Sequence, residues 1–328
     1  MLGAADGHSE SRLLDEIFQS VRIPSLPEAA ANLLMLCRDE HVAASELVRV
    51  IELDPALAAR LLKVANSSFF GQRARVCTLS RAAVVLGNDY LKAVALGYFV
   101  GTGWQHLDCP GFNIREFWRD SILRACLAGQ LATASEYGHR ELAFLVGLIE
   151  DIGSLILAVH FGGPYIETLN SFGRDLVKRR PIEQARFGTD HAQVTGALAR
   201  RWEFPELLAG TLSRHCDPPP LAATKDADEG LWQIAHFCAA VPFSPDRQTA
   251  KVKESLRGLA ISAFGLSFEG LSHLFTSVVE QYNTVSTVFS NLRPAACNPG
   301  LLMEEAAEWI RKTFPESSGS PISDVVNP

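Results

Sequence analysis

The sequence predicts an all-α protein arranged in two lobes. Apolar residues recur at helical spacing along nearly the whole chain, with no sustained strand-like alternation. Helix-opening residues stand where those periodic runs begin. The 24 glycines and 17 prolines among 328 residues punctuate the runs and form no long low-complexity tract. A content of 47% hydrophobic and 20% charged residues is that of a globular chain, long enough for one large domain or two smaller ones.

An N-terminal extension and first helix are expected over 1–22, and an N-terminal helical lobe over 23–105. Within that lobe Ser45 precedes "ELVRVI" as a helix opener. In "LDPALAARLLKVANSSFFG", Asp54 suits the N-cap and Pro55 the first helical position. Leu57, Leu61 and Leu62 then share a face, and Gly71 marks the exit. Asn88, after Gly87, opens the helix of "YLKAVALGYFV". The turn-rich "GTGWQHLDCPGFN" (Gly101 to Asn113) separates the lobes. A second helical lobe follows over 106–243. It starts with "IREFWRDSILRACLAGQLATASEYG", apolar around most of its circumference and hence buried. The segment "GLIEDIGSLIL" reads as another helix, and Pro218 to Gly230 as a surface loop. C-terminal helices over 244–313 pack on this lobe, and 314–328 reads as a disordered tail. Leu271, Phe275, Val278, Tyr282, Val285 and Phe289 form a heptad seam, either a packing face within the chain or a homodimer contact.

Net charge is −7, which argues against a protein that coats nucleic acid. Two basic clusters run against that total. Arg73, Arg75 and Arg81 form one, and "RDLVKRR" (Arg174 to Arg180) the other; a solvated surface is the ordinary reading of both. No N-terminal stretch pairs a basic start with an apolar core, so no secretory signal is expected. The longest uncharged run, Ala93 to Leu107, is too short for a bilayer. The seven cysteines (Cys37, Cys77, Cys109, Cys126, Cys216, Cys238 and Cys297) are scattered without a CxxC, as reduced thiols in a cytoplasm would be.

Candidate chemistry lies in polar groups on apolar helical surfaces. Glu150 and Asp151 stand side by side in an apolar run, and no Lys or Arg occurs between Arg140 and Arg174. Buried carboxylates must shift their pKa, find a base on another segment, or hold a metal. Asp120, His191, His215 and His236 join them as candidates. Carboxylates and imidazoles gathered from several helices are what a metal site in a bundle core requires. Each has an ordinary structural alternative. Asp120 can pair with Arg124 four residues on. His191 can hold a turn, His215 can face a helix dipole, and His236 can be a satisfied core histidine.

Long segments match a known pattern in order: "IPSLPEAAANLLML", "ELDPALAARLLKVANSSFFG", "TLSRAAVVLGNDYLKAVAL", "FWRDSILRACLAGQLA", "GLIEDIGSLIL" and "FGTDHAQVTGALARRWEFPELLAGTLSRH". Together they resemble the HDOD family, the HD-related output domain of bacterial signalling proteins, over roughly Ile23 to Asp217. The resemblance implies a multi-helical HD-domain-like bundle and a relation to metal-dependent phosphohydrolases. In that superfamily a His, a His-Asp pair and a later Asp hold the metal. Asp120, Glu150 with Asp151, and approximately His236 correspond here, and only Asp151 keeps the residue type. His191 and His215 fall near the extra histidines of two-metal HD-GYP relatives, whose Gly-Tyr-Pro signature is absent.

Without a metal, Asp120, Glu150 and Asp151 would repel one another and favour a protonated member. With one, the set favours a harder cation such as Mg or Mn, and the candidate divalent metals are Mg, Mn, Fe and Ni. The resemblance therefore implies a cytoplasmic signalling module that binds a regulatory protein or a nucleotide second messenger, with a degenerate HD site. The competing reading is a divergent phosphohydrolase using a divalent metal at Asp120, Glu150, Asp151, His191, His215 and His236.

Overall fold

Asp54 caps its helix as its position before Pro55 suggests. Its Oδ1 accepts the backbone N–H of Ala56 and of Leu57, each at 2.9 Å. The same physics sets the other starts. Asn113 accepts from Glu116, Asp226 from Glu229, and Asp190 forms a full capping box with Gln193. The structure, a computed structural model, describes residues 4–21, 23–37, 43–72, 74–105, 107, 109–172, 176–241 and 250–314. Arg73, Arg174 and nearly all of the expected tail lie outside the described residues, as does the expected boundary at 243/244.

The helices in chain order are α1 (Ala4–Val21), α2 (Glu28–Cys37), α3 (Ala44–Glu52), α4 (Pro55–Ala65), α5 (Leu79–Leu86), α6 (Asn88–Thr102), α7 (Ile114–Ala134), α8 (Arg140–Ile149), α9 (Ile152–Phe161), α10 (Gly163–Phe172), α11 (Leu176–Phe187), α12 (His191–Arg201), α13 (Glu206–Arg214), α14 (Ala227–Ala240), α15 (Ala250–Gly258), α16 (Phe268–Val285) and α17 (Pro299–Thr313). No strand occurs among the described residues. Ser45 is not the cap expected of it: α3 begins at Ala44, and Ala43 caps it without a side-chain bond.

Helix α7 is buried along most of its length and packs against α8, α14 and α16. Helix α6 packs on α8 and carries α2 to α5, while α1 packs on α9. The turn-rich segment after α6 is not a bare linker. Trp104 within it is fully buried, stacked edge-on to Trp202, whose indole N–H donates to Pro24 O at 3.1 Å. The heptad seam is a packing face within the chain. Leu271, Phe275, Val278, Tyr282, Val285 and Phe289 are all buried, with α16 laid on α7 and α17. The stretch Arg140–Phe161 is long and apolar enough to cross a membrane by composition, yet 89% of its apolar window is buried in the fold.

Candidate functional site

Glu150 and Asp151 occupy the turn between α8 and α9. The helix expected through "EDIG" is thus broken at the acids, and both are buried, Glu150 completely. The break depends on close backbone approach. A Cβ on Gly147 would lie 2.6 Å from Arg124 O on α7, and one on Gly153 would lie 2.0 Å from His191 O on α12. Thr195 fastens the same junction. Its hydroxyl accepts Gly153 N–H at 2.9 Å and lies 3.0 Å from Glu150 O and 2.8 Å from His191 O.

The cation for the two acids comes from other helices. Arg124 of α7, fully buried, places Nε 3.1 Å from Glu150 Oε1 and Nη1 2.9 Å from Asp151 Oδ2. Arg179 of α11 places Nη2 3.3 Å from Asp151 Oδ1 and Nε 3.2 Å from Glu183 Oε1. For Glu150 and Asp151 the expected mutual repulsion is therefore replaced by pairing with the buried guanidiniums of Arg124 and Arg179. Asp120 stands apart from this arrangement. It binds its neighbour Arg119, whose Nη2 lies 2.7 Å from Oδ1, while the Arg124 expected to pair with it turns to Glu150 and Asp151.

Glu183 extends the cluster. It accepts from Tyr165 Oη at 2.7 Å and from His191 backbone N–H at 3.2 Å, and it lies 2.6 Å from His191 Nδ1. Burial alone would raise its pKa, but the charges of His191 and Arg179 outweigh that and hold it down at about 2. A carboxylate so far below neutrality only accepts, which fixes the His191 proton on Nδ1 and directs Nε2 the other way. There Nε2 meets Cys216 Sγ at 3.2 Å, with Asp151 Oδ1 at 3.6 Å. Burial and Arg179 push the His191 pKa down; Cys216 and Glu183 outweigh them and raise it to about 10. Burial pushes the Cys216 thiol up, and His191 and His215 reverse that to about 6.

His215 caps the end of α13, its Nδ1 donating to Leu212 O at 2.8 Å. Its ring is fully buried, and one ligand atom from each of His191, His215 and Cys216 lies within 4.8 Å of the others. The chain around Cys216 is fixed from two sides. Trp232 donates to Arg214 O and Asp217 O, while Arg180 bridges Asp190 and Asp217. His236 belongs to the second layer. Its Nδ1 donates to His215 O at 2.9 Å, and burial lowers its pKa to about 4, so it stays neutral.

A profile of the HDOD domain matches residues 23–218. The chain belongs to the HDOD family. A relative from Treponema pallidum, itself uncharacterised, is 26% identical over 200 residues, 60% of this chain; the aligned part spans 38% of that relative's length. Among solved structures, an HDOD protein of unknown function from Geobacter sulfurreducens superposes with TM-score 0.67 at 22% identity, covering 85% of this chain and 97% of that one. A candidate signal transduction protein from Marinobacter aquaeolei gives 0.63 at 22% identity, covering 88% of this chain and 66% of that one. A candidate phosphohydrolase from Shewanella amazonensis gives 0.60 at 23% identity, covering 84% and 97%. These likenesses establish the fold.

The metal of the HD superfamily does not fit the HDOD chain at Glu150 and Asp151. The Arg124 guanidinium is already within ion-pair distance of both acids, and it cannot deprotonate to make way. The histidine-cysteine cluster is different: its donor atoms converge and no arginine stands between them. The local pattern did not disclose this architecture. Arg124, Arg179, Glu183 and Cys216 all act across helices. The one available signal was a lone arginine on the otherwise buried face of α7.

Proposed function

We propose that this HDOD chain is a regulatory module that acts by binding, without hydrolase chemistry at its HD position. Arg124 carries the reading, because it supplies the cation for Glu150 and Asp151 from the protein itself. A metal there would have to displace a buried, doubly paired guanidinium, at several kcal/mol for the broken pair.

The surface offers a place for a ligand. A cleft of about 940 Å³ opens between α4 and α16, lined among others by Lys63, Asn66, Ser67, Arg75, Asn283 and Thr284. Its described lining holds two cations and no carboxylate, in a chain of net charge −7. Such a cleft suits an anionic small molecule, and its size is that of a nucleotide site. This favours a nucleotide second messenger over a protein as the bound partner.

The test pairs turnover with retention. Purified chain with Mn²⁺ or Mg²⁺ is expected to hydrolyse phosphoesters and nucleotides no faster than Asp151→Ala. Equilibrium dialysis is expected to retain a nucleotide that the Lys63→Glu/Arg75→Glu variant releases. Metal-dependent turnover lost in Asp151→Ala would overturn the reading in favour of a divergent phosphohydrolase.

A further inference from the structure

We propose that His191, His215 and Cys216 form a site for one borderline-to-soft divalent cation, with zinc as the metal whose chemistry fits. The donor geometry is the first support. A tetrahedral zinc holds imidazole nitrogen and thiolate sulfur roughly 3.5 Å apart. His191 Nε2 and Cys216 Sγ lie 3.2 Å apart, and His215 completes a trio within 4.8 Å.

The second support is burial. His191, His215 and Cys216 are all buried, and both rings bear on the same sulfur. A cation held by the three would take the place of these contacts without drawing water into the core.

The third support is the outer layer. Metal-binding histidines characteristically give their other N–H to a carboxylate or a backbone carbonyl, which fixes the ring. His191 gives Nδ1–H to Glu183, and His215 gives it to Leu212 O. The ligands also stand on secured backbone: His191 follows the Asp190 capping box, and Cys216 lies between the two carbonyls that bind Trp232.

The donor set decides the metal. One thiolate with two imidazoles selects zinc-like cations over Mg or Mn, which prefer oxygen. This is not the arrangement implied by the HD pair. Its ligands come from the start of α12 and the turn after α13. Asp151, whose Oδ1 lies 3.6 Å from His191 Nε2, is engaged by both arginines. Nor does the site depend on the regulatory reading, since its test measures metal binding and not turnover.

Chelator-treated full-length chain is titrated with Co²⁺. One equivalent is expected to bind with thiolate-to-cobalt charge-transfer absorption, and Zn²⁺ is expected to displace it. Cys216→Ser removes the absorption, whereas Cys238→Ser, a buried thiol on α14 outside the trio, keeps it. Glu183→Gln weakens cobalt binding about 10–100-fold while leaving the band in place at saturation. Absence of the band in the parent chain, or its persistence in Cys216→Ser, would overturn the site. Should Cys216→Ser not fold, the parent and Glu183→Gln titrations still decide.

Discussion

Arg124 serves two carboxylates at full burial, and its removal is correspondingly severe. Breaking a buried pair leaves a charge with neither water nor a partner, a loss of about 3–5 kcal/mol. Arg124→Ala is therefore expected to destabilise the fold by about that amount in urea denaturation. Adding Glu150→Gln should recover part of it, since the amide needs no counter-charge. An Arg124→Ala chain as stable as its parent would refute the pairing. The sequence disclosed the problem at this residue but not its solution. Two acids without a nearby base are visible in "GLIEDIGSLIL". Local spacing, however, assigns Arg124 to Asp120, because the rule for pairs four residues apart sees only one helix. Cys216 was equally hidden, as one of seven scattered thiols whose partner His191 lies 25 positions away.

At the scale of elements, the decisive contact is the approach of α9 to α12 at Gly153. A Cβ there would overlap the His191 carbonyl, a backbone atom that cannot rotate aside. Gly153→Ala is expected to cost about 1–3 kcal/mol, the usual range for overpacking, and to separate the Thr195 hydroxyl from the 150–151 turn. A denaturation midpoint equal to the parent's would contradict that close approach. Helix starts were legible where a capping side chain and a proline coincide, as at Asp54 and Pro55. They were less legible at α3, where packing of Leu47, Val48 and Ile51 sets the helix in place without a side-chain cap. The break at Glu150 was not legible either. An unbroken apolar run gives no local reason to stop; the turn is imposed by the helices that bind its acids and fill its glycine notches.

For the whole molecule, the core is one connected cluster from Ile17 to Phe314. Burial shared along this one core couples the unfolding of its helices. Heat or urea is expected to give one transition, with near- and far-ultraviolet circular dichroism superimposing. Two resolved transitions would show that parts of this core unfold separately. The all-α class and the heptad seam were legible because periodicity reports burial directly. What the periodicity could not report is which surface each buried face meets. "RDLVKRR" looked like an exposed basic patch, yet Arg179 lies inside the ion-pair cluster and Arg180 ties Asp190 to Asp217.

The buried guanidinium also bears on how readily the chain could change its chemistry. A route to a metal-holding His-Asp pair must remove Arg124 and replace Glu150. The first step alone exposes the fold to a loss of about 3–5 kcal/mol, against a total stability of about 5–15 kcal/mol for a typical domain. Removing Arg124 first strips both acids of its charge, whereas replacing Glu150 first leaves Arg124 paired with Asp151. The order of substitution therefore decides whether the fold survives such a route: Glu150 has to change before Arg124.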